Sequence, residues 1–381
     1  MTTARDWLIA GAPGAKTSPE VLTGTCERLI EEGIPVARAE AYVRTLHPLV
    51  AGRAFEWTAG GGCKAIESFH GEASDLGAAS SPIQRVFRTA QQQRNRLVAG
   101  HEANWYLSDM AALGMTDVIA LPFLFTSGEV HAVAFATNRD GGFTDADIAT
   151  IERAVEPLTR MAEILALRRS ATNVLTAYVG RDAGARVLSG QIRRGDTELI
   201  EAVIWFSDMR GFSTMSNQRS PREVIALLNE LFDCQVPAIE RHGGEVLKFI
   251  GDGLLAIFTP RDRDLRTCAA EALAATSEAL ATLAERNARA GDSLRFGIAL
   301  HVGEVAYGNI GGAARLDFTC IGRAVNLAAR LEALTGKTGH DVLASSELAQ
   351  LCTGLARVGE FEVKGFAEPV TAYAPTDATG A

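Results

Sequence analysis

The sequence contains no run of apolar residues close to the ~18 that a membrane-spanning helix needs. Its N-terminus lacks the charged segment and apolar core of a secretory signal peptide. Positive charge is not in excess, because 37 Lys and Arg face 46 Asp and Glu and give a net charge of −9. That balance argues against a general nucleic-acid binder, which needs clustered positive charge. Together these absences predict a cytoplasmic protein with no membrane span and no nucleic-acid partner.

Cysteine is sparse, and no Cys-x-x-Cys pair occurs. The six cysteines are Cys26, Cys63, Cys234, Cys268, Cys320 and Cys352. Scattered cysteines are typical of reduced thiols that pack as small apolar groups, and they offer no structural zinc spacing. Cys63 follows three glycines, and we interpret it as a loop cysteine rather than as an attachment point for a chromophore.

The chain is long enough for two domains. It has 381 residues, of which 47% are hydrophobic and 22% charged, a composition typical of globular proteins with substantial cores. We expect a first domain over residues 1–165, a helical connector over 166–195 and a second domain over 196–375.

Helical and strand patterns alternate in the first domain. The sequence predicts a helix near residues 19–32 and two strands within 35–58, broken at His47-Pro48. It then predicts a helix over 81–98, a hairpin of strands 117–124 and 129–137, and a helix from Asp145 to about Arg169 with Thr144 as N-cap.

The end of this domain resembles a GAF domain, a small α/β sensor module. The resemblance rests on a strand ending in Leu121-Pro122, the hairpin, and Phe143-Thr144-Asp145 opening an amphipathic helix. It implies a regulatory domain that responds to an unknown small molecule or protein. The pattern does not identify a bound cyclic nucleotide, haem or bilin.

The connector has apolar residues at helical spacing between Leu165 and Leu188, interrupted at Gly180 and Gly184. This predicts a helix, a break and a second short helix. Two interpretations stay open: the connector pairs with its counterpart in a dimer and transmits strain, or it is a packed spacer.

The second domain mixes strands and helices in an order that predicts an α+β sandwich with a helix-covered sheet. The expected strands are 201–207, the hairpin 245–258, 294–302, 316–321 and a terminal hairpin over 361–373. The expected helices begin at the capping box Ser220–Glu223 and cover 265–288 and 324–334.

Two aspartates are the most informative residues, since each lies in a glycine-containing turn directly after an apolar strand. Asp208 lies in AVIWFSDMRGFS (202–213) and Asp252 in KFIGDGLL (248–255). The glycines allow close approach to a ligand. Two carboxylates brought together suit Mg²⁺ or Mn²⁺ carried by a polyphosphate, and they favour two-metal phosphoryl or nucleotidyl transfer.

Four stretches resemble the class III nucleotidyl cyclase catalytic domain. They are FSDMRGFS (206–213), KFIGDG (248–253), GRAVNLAAR (322–330) and VKG (363–365). The resemblance implies a class III cyclase α/β sandwich with a ferredoxin-like core. It also implies conversion of a nucleoside triphosphate to its 3′,5′-cyclic monophosphate, by a head-to-tail homodimer with active sites at the subunit interface.

The resemblance assigns a role to each motif residue. Asp208 and Asp252, with the backbone carbonyl of Met209, bind two Mg²⁺ or Mn²⁺ ions that activate the ribose 3′-hydroxyl. Asn326 orients the ribose, and Arg330, on the same helix face, neutralises charge on the α-phosphate. The remaining phosphate contacts come from Gly211, Phe212, Ser213 and Lys364.

Lys248 and Thr319 are expected to select the base. Lys248 can donate to N1 of adenine, whereas guanine carries N1–H, and Thr319 can bond the group at position 6. Guanylyl cyclases carry Glu and Cys at these places, and many membrane-bound adenylyl cyclases carry Asp where this chain has Thr319. The sequence therefore predicts an ATP-using adenylate cyclase, with a guanylate cyclase or a non-catalytic nucleotide-binding homologue as alternatives. A metal-dependent phosphatase or nuclease fits less well, because no further Asp or His cluster accompanies the pair.

Overall fold

The computed structural model describes residues 2–44, 50–69, 81–97, 104–261 and 263–376. The chain forms two compact units, Met1–Ala177 and Tyr178–Ala381. The division between them falls inside the expected connector. None of the described helices is both long and apolar enough to cross a membrane.

The first unit is built on a six-stranded antiparallel sheet in the order β3-β2-β1-β6-β5-β4. Its strands are β1 (Arg38–Arg44), β2 (Val50–Thr58), β3 (Gly62–Phe69), β4 (Gln93–Arg96), β5 (Asp117–Leu124) and β6 (Val130–Thr137). Its helices are α1 (Ala4–Ile9), α2 (Ser18–Glu31), α3 (Pro82–Thr89), α4 (Trp105–Ala112) and α5 (Asp145–Val179), which continues past the division.

Helices pack on both faces of this sheet. Successive residues of a strand point to opposite sides, so each strand contributes side chains to both faces. One face carries Phe55, Trp57 and Phe135 against α1, α2 and α5. The other face packs Val118 and Ala134 against α3 and α4.

Several predictions for this unit are confirmed. The 117–124 and 129–137 hairpin is present as β5 and β6. Thr144 caps α5, accepting a hydrogen bond from Asp147 N at 3.2 Å. The α5 helix extends ten residues beyond the expected end at Arg169 and contains Pro157. The expected break at His47-Pro48 lies outside the described residues.

The prediction of a single helix over 81–98 is wrong in its second half. α3 ends at Thr89, because Ala90 takes a left-handed conformation with φ 53°. Residues 93–96 pair with β5 instead, and Arg94 bonds the buried Asp117 carboxylate at 2.8 Å. Tertiary pairing thus overrides the helical tendency of this glutamine-rich segment. Val98 lies outside the described residues.

The loop interpretation of Cys63 is also wrong. Cys63 lies in β3, opposite Trp57 of β2, and packs half-buried against the core of this unit. The glycines before it form the turn between the two strands. The sequence analysis did not predict α1, β3 or α4.

The second unit contains an eight-stranded sheet. Seven strands follow the order β13-β14-β12-β10-β7-β9-β8, and β11 pairs with the distal half of β10. The strands are β7 (Thr197–Met209), β8 (Glu245–Ile250), β9 (Gly253–Phe258), β10 (Phe296–Gly311), β11 (Leu316–Ile321), β12 (Val342–Ser345), β13 (Leu355–Phe361) and β14 (Val370–Pro375). Only β10 and β12 pair in parallel among the described strands.

Helices cover both faces of this sheet, which confirms the α+β class. They are α6 (Arg181–Leu188), α7 (Phe212–Gln218), α8 (Pro221–Arg241), α9 (Leu265–Ala290), α10 (Arg323–Thr338) and α11 (Ser346–Ala349). β7 is apolar on both faces, with Val203 and Trp205 in the core beneath α8 and α9 and Ile204 in the core of the other face. Alanines of α9 let that helix lie close to the sheet.

The predicted helices and strands of this unit are of the observed type, but the predicted ranges for β10 and α10 are too short. β10 has 16 residues and α10 also has 16. The expected helix–break–helix of the connector is present, with the break at Gly180 (φ 92°), whereas Gly184 lies inside α6. The terminal hairpin pairs β13 with β14, so Lys364 lies in their connection. β12 was not predicted.

Candidate active site

Asp208 and Asp252 come together at one end of the sheet. Asp208 is near the end of β7, and Asp252 lies in the two-residue turn between β8 and β9. Because β9 pairs with β7, the turn that carries Asp252 lies beside Asp208. Burial and the neighbouring Asp252 charge raise the pKa of Asp208 from 3.8 to about 6.

Small residues make this approach possible. A Cβ at Gly253 would lie 2.8 Å from the Ser207 carbonyl oxygen and 3.1 Å from Asp208 Oδ1. Any side chain there would push the turn away from β7. The glycine next to Asp252 is therefore required by packing.

A third carboxylate, Glu332 of α10, lies nearby. A Cβ at Gly297, which pairs with Asp208 across the sheet, would be 2.6 Å from Glu332 Oε1. Burial, followed by the charge of Asp208, raises the pKa of Glu332 from 4.5 to about 7, and the charge of Arg210 opposes this rise. Sequence reasoning missed Glu332, because its neighbours in space belong to other elements.

The donors available fit a hard divalent cation. Among the described residues, no group of three or more His, Cys, Asp or Glu is arranged to hold a metal. Mg²⁺ commonly takes one or two protein carboxylates and completes its shell with water and substrate phosphates. The Asp208–Asp252 pair brings two carboxylates together, and it has the oxygen chemistry that Mg²⁺ or Mn²⁺ prefers.

The turn after Asp208 leads into α7. Met209 is buried, and its backbone N–H lowers the pKa of Asp208 in opposition to burial. Gly211 takes a left-handed conformation at the start of α7, with Phe212 and Ser213 as its first residues. The structure thus places these residues beside the aspartate pair, while their phosphate contacts stay a prediction.

Asn326 and Arg330 point outward from α10. Both are exposed, while Leu327, Leu331 and Leu334 of the same helix face the core. In the described part of the chain, neither polar side chain has an ion pair or a side-chain hydrogen bond. Their shared face is therefore free to contact a ligand or a second subunit.

Residues that flank Lys364 in the sequence contact α10. Val363 is buried against the leucines of that helix, and the Arg323 guanidinium stacks 4.9 Å from the ring centre of Phe366. Lys364 itself is exposed. The connection is thus held in place while its lysine remains accessible.

Lys248 and Thr319 lie on neighbouring strands. Lys248 Nζ contacts Asp317 Oδ2 at 2.9 Å, and Asp317 is two residues from Thr319, on the same face of β11. Burial raises the pKa of Cys320 to about 11, and the nearby Lys248 charge opposes this rise. Lys248 therefore lies over the β11 strand that carries Thr319.

The side-chain hydroxyl of Thr319 is available to bind a ligand. Its side chain is 3% exposed, and its Oγ1 has no hydrogen-bond partner among the described residues. A buried hydroxyl without a partner is costly and uncommon, so this position is suited to a polar group from a ligand. Asp317, which the sequence analysis missed, could have been found from its two-residue spacing to Thr319.

Comparison with known proteins identifies this unit. Residues 197–374 match the family described as the adenylate and guanylate cyclase catalytic domain. This part of the chain is therefore similar to the class III nucleotidyl cyclase catalytic domain, in agreement with the four motifs. The family description covers both bases and does not choose between them.

Adenylate cyclases are among the similar curated proteins. The chain is 35% identical over 152 residues to an adenylate cyclase of Anabaena cylindrica, covering 39% of this chain and 30% of that protein. It is 32% identical over 181 residues to adenylate cyclase 1 of Rhizobium meliloti, covering 45% and 27%. The chain thus spans less than a third of the length of these relatives.

Among solved structures, the adenylyl cyclase CyaB from P. aeruginosa is 28% identical. The match covers 48% of this chain and 97% of that one, with a TM-score of 0.43. The GAF resemblance of the first unit is not tested by these comparisons and stays a prediction.

Proposed function

We propose that residues 196–375 form an adenylate cyclase that converts ATP to 3′,5′-cyclic AMP and pyrophosphate. The proposal rests chiefly on the buried hydroxyl of Thr319, which has no partner among the described residues. Lys248 contacts Asp317 on the same strand. A donor for adenine N1 and a hydroxyl that accepts from the 6-amino group complement adenine. The similarity to adenylate cyclases supports the same choice.

A guanylate cyclase is the second candidate, because one observation favours it. Guanine N1–H needs an acceptor, and the Asp317 carboxylate lies 2.9 Å from Lys248 Nζ. If the ion pair opened, Asp317 could accept from N1–H. The Asp317 side chain is largely exposed, however, so water competes for it, whereas Thr319 is buried.

Each remaining residue has a role in binding the triphosphate. Asp208 and Asp252, with the Met209 carbonyl, hold the divalent cations, Mg²⁺ or Mn²⁺, which lower the pKa of the ribose hydroxyl and offset phosphate charge. Gly211, Phe212, Ser213 and Lys364 contact the phosphates. Asn326 fixes the ribose, and the Arg330 guanidinium neutralises the α-phosphate during in-line attack.

The active enzyme is a homodimer in this proposal. Asn326 and Arg330 face outward on α10, and the sheet ends at β8, where Phe249 and Ile250 are exposed beside Lys248. An exposed apolar edge strand favours burial against another chain. A second copy placed there would complete the site, since the resemblance to class III cyclases implies that Lys248 and Asp252 serve different active sites of the dimer.

The first unit is proposed to be a GAF-like regulatory domain of a cytoplasmic enzyme. All six cysteines are free thiols, which is consistent with a reducing compartment.

The direct test is nucleotide turnover by the whole chain, with ATP and with GTP, each with Mg²⁺ and Mn²⁺. We expect cyclic AMP formation to exceed cyclic GMP formation by ~10-fold or more in kcat/KM, since a mismatched polar group in a buried site costs at least this much. Asp208→Asn serves as the blank for contaminating cyclase. Equal or higher use of GTP would favour the guanylate alternative, and no cyclic product would favour a non-catalytic homologue.

A paired substitution tests the base contacts. Lys248→Glu with Thr319→Cys places at both positions the residues found in guanylyl cyclases. We expect kcat/KM for ATP to fall ~10²-fold, because an acceptor then faces adenine N1. Glu285→Gln on α9 is the control for a charge change elsewhere in the unit. An unchanged ratio of ATP to GTP use would remove Lys248 and Thr319 from base recognition.

A further inference from the structure

An apolar cleft lies in the first unit, between α2, α5 and the sheet. Its walls include Val21 and Leu22 of α2, Phe55 of β2, Phe123 of β5, and Leu158 and Leu165 of α5. The space open to the centre of a water-sized sphere is about 40 Å³. Protein cores are close-packed, so an opening of this kind is unusual.

Two arginines line the same cleft, Arg53 of β2 and Arg169 of α5. Arg53 pairs with Glu67 of the neighbouring strand, but its Nε is buried and has no hydrogen-bond partner in the described part of the chain. Burial lowers the pKa of Arg169, and the charge of Arg53 lowers it further. Two guanidinium groups thus share one carboxylate, and a donor remains unsatisfied.

We propose that this cleft binds a short, unbranched aliphatic carboxylate. The carboxylate lies between Arg53 and Arg169 and accepts from the free Nε of Arg53, while the alkyl chain occupies the apolar cleft. The planar guanidinium matches carboxylate geometry. We expect a linear chain to fit better than a branched one, because the alkyl chain must lie between apolar side chains of α2, α5 and the sheet.

Other occupants fit these observations less well. A nucleotide needs polar partners for its ribose and base. Apart from arginines, Ser18 is the only polar residue among the described lining residues. An apolar side chain from a second copy would fill the cleft but leave the Arg53 Nε without an acceptor. Water could satisfy that donor, but the apolar walls give it few further partners.

This proposal is independent of the cyclase activity, because it concerns binding to the first unit alone. Its test is calorimetric titration of the whole chain, without nucleotide, with sodium hexanoate. The comparison ligands are 2-ethylbutanoate, a branched isomer with the same charge, and hexan-1-ol, a neutral molecule with the same chain. We expect one hexanoate per chain, and affinities for both comparison ligands at least tenfold lower.

Variants assign the site. Arg53→Gln and Arg169→Gln each should weaken hexanoate binding at least tenfold, and Ala166→Phe, which fills the cleft, should abolish it. Arg28→Gln is the matched control: Arg28 is on α2 but outside the cleft lining, and its guanidinium stacks 4.1 Å from the Trp7 ring centre. We expect its affinity to change less than twofold. Thermal melting verifies that each variant is folded.

The proposal fails if hexanoate gives no saturable heat at millimolar concentration with folded protein. It also fails if hexan-1-ol or 2-ethylbutanoate binds as tightly as hexanoate, or if both arginine variants keep full affinity. The ligand comparison uses the unchanged chain, so it decides the question even if a variant does not fold.

Discussion

At Asp208 one carboxylate has two opposing effects. It offers oxygen ligands to a cation, yet burial and the Asp252 charge raise its own pKa, and its charge raises the pKa of Glu332 in turn. A neighbouring like charge disfavours the charged form of a carboxyl group. Adjacent carboxyl groups with raised pKa values are typical of functional sites.

Removing either aspartate should therefore damage activity but not the fold. We expect Asp208→Asn or Asp252→Asn to lower kcat by ~10² or more, the scale of losing a main electrostatic contribution. Without divalent cations, the melting temperature should stay equal or rise, since repulsion is relieved. Asp233→Asn, an exposed position on α8, is the control. Near-normal turnover in either variant would contradict the metal assignment.

Glu332 gives a pH dependence with a defined sign. Its pKa in the fold is about 7, above the ordinary value of 4.5, so unfolding releases a proton between these values. The stability that it contributes is present below about pH 4.5 and is lost as pH rises toward 7. In metal-free buffer, we expect the melting temperature to fall over this range, and to fall less in Glu332→Gln.

The control for this measurement is Glu285→Gln, on α9. If Glu332→Gln and the unchanged chain show the same slope of melting temperature against pH, Glu332 is not the titrating group. A difference that disappears when Mg²⁺ and ATP are present would connect Glu332 to the charge of the aspartate pair.

A site residue can be predicted from the sequence where its motif consists of residues that are close together in the chain. The turns around Asp208 and Asp252 are motifs of consecutive residues, and the i, i+4 spacing of Asn326 and Arg330 predicted their shared helix face. Glu332 and Asp317 gain their surroundings only through pairing of distant strands and helix packing. No window of sequence around Glu332 contains Gly297 or Asp208.

At the scale of elements, α6 is bonded to the strand that carries Lys248. The N–H of Asp182 donates to Glu245 Oε1 at 2.7 Å, at the start of β8. The Asp182 carboxylate accepts from Tyr307 at 3.0 Å and pairs with Arg186 and Arg261. A displacement of α6 would therefore reach β8 through defined bonds, which is the requirement for coupling.

Asp182→Asn tests the carboxylate part of this coupling. It keeps the backbone N–H bond to Glu245 but removes the charge that pairs with Arg261, and Arg261 also contacts Glu245. Loss of charge-assisted hydrogen bonds costs roughly 1.5–3 kcal/mol. We expect a melting temperature lower by ~3–8 °C and a kcat/KM for ATP lower by ~10-fold. Asp264→Asn is the matched control, since Asp264 caps α9 and Asn caps helices as well as Asp. Unchanged kcat/KM with lowered stability would limit α6 to a structural role.

Element types were predictable where periodicity was strong, as in α8, α9 and the β8–β9 hairpin. The errors came from tertiary pairing. β4 forms because β5 offers an edge and Asp117 a partner for Arg94, and β10 is long because it pairs with β7, β12 and β11 along its length. Neither cause is visible within the segment itself.

At the scale of the whole molecule, exposed apolar residues favour a second copy. On α5, Ile164, Leu167, Val174 and Tyr178 are exposed, Leu167 by 71% and Tyr178 by 83%. With Ala171 their spacing alternates three and four residues, the pattern of a coiled-coil seam. This supports the interpretation of the connector as a dimer element over that of a packed spacer.

A dimer with shared sites makes a prediction that a monomer cannot fulfil. If each site takes its metals from Asp208 of one subunit and its transition-state charge from Arg330 of the other, Asp208→Asn and Arg330→Ala are both inactive alone. Mixed and allowed to exchange subunits, they form heterodimers in which one site has both lesions and the other has none. Random pairing gives roughly half heterodimers, each with one intact site of two, so we expect about a quarter of the unmodified activity.

The control is a mixture of Asp208→Asn with Asp252→Asn, whose lesions fall on the same side of the site and must not complement. Activity is measured as cyclic AMP formed, and subunit exchange is verified with differently tagged chains. Full exchange without recovery would place all catalytic residues in one subunit.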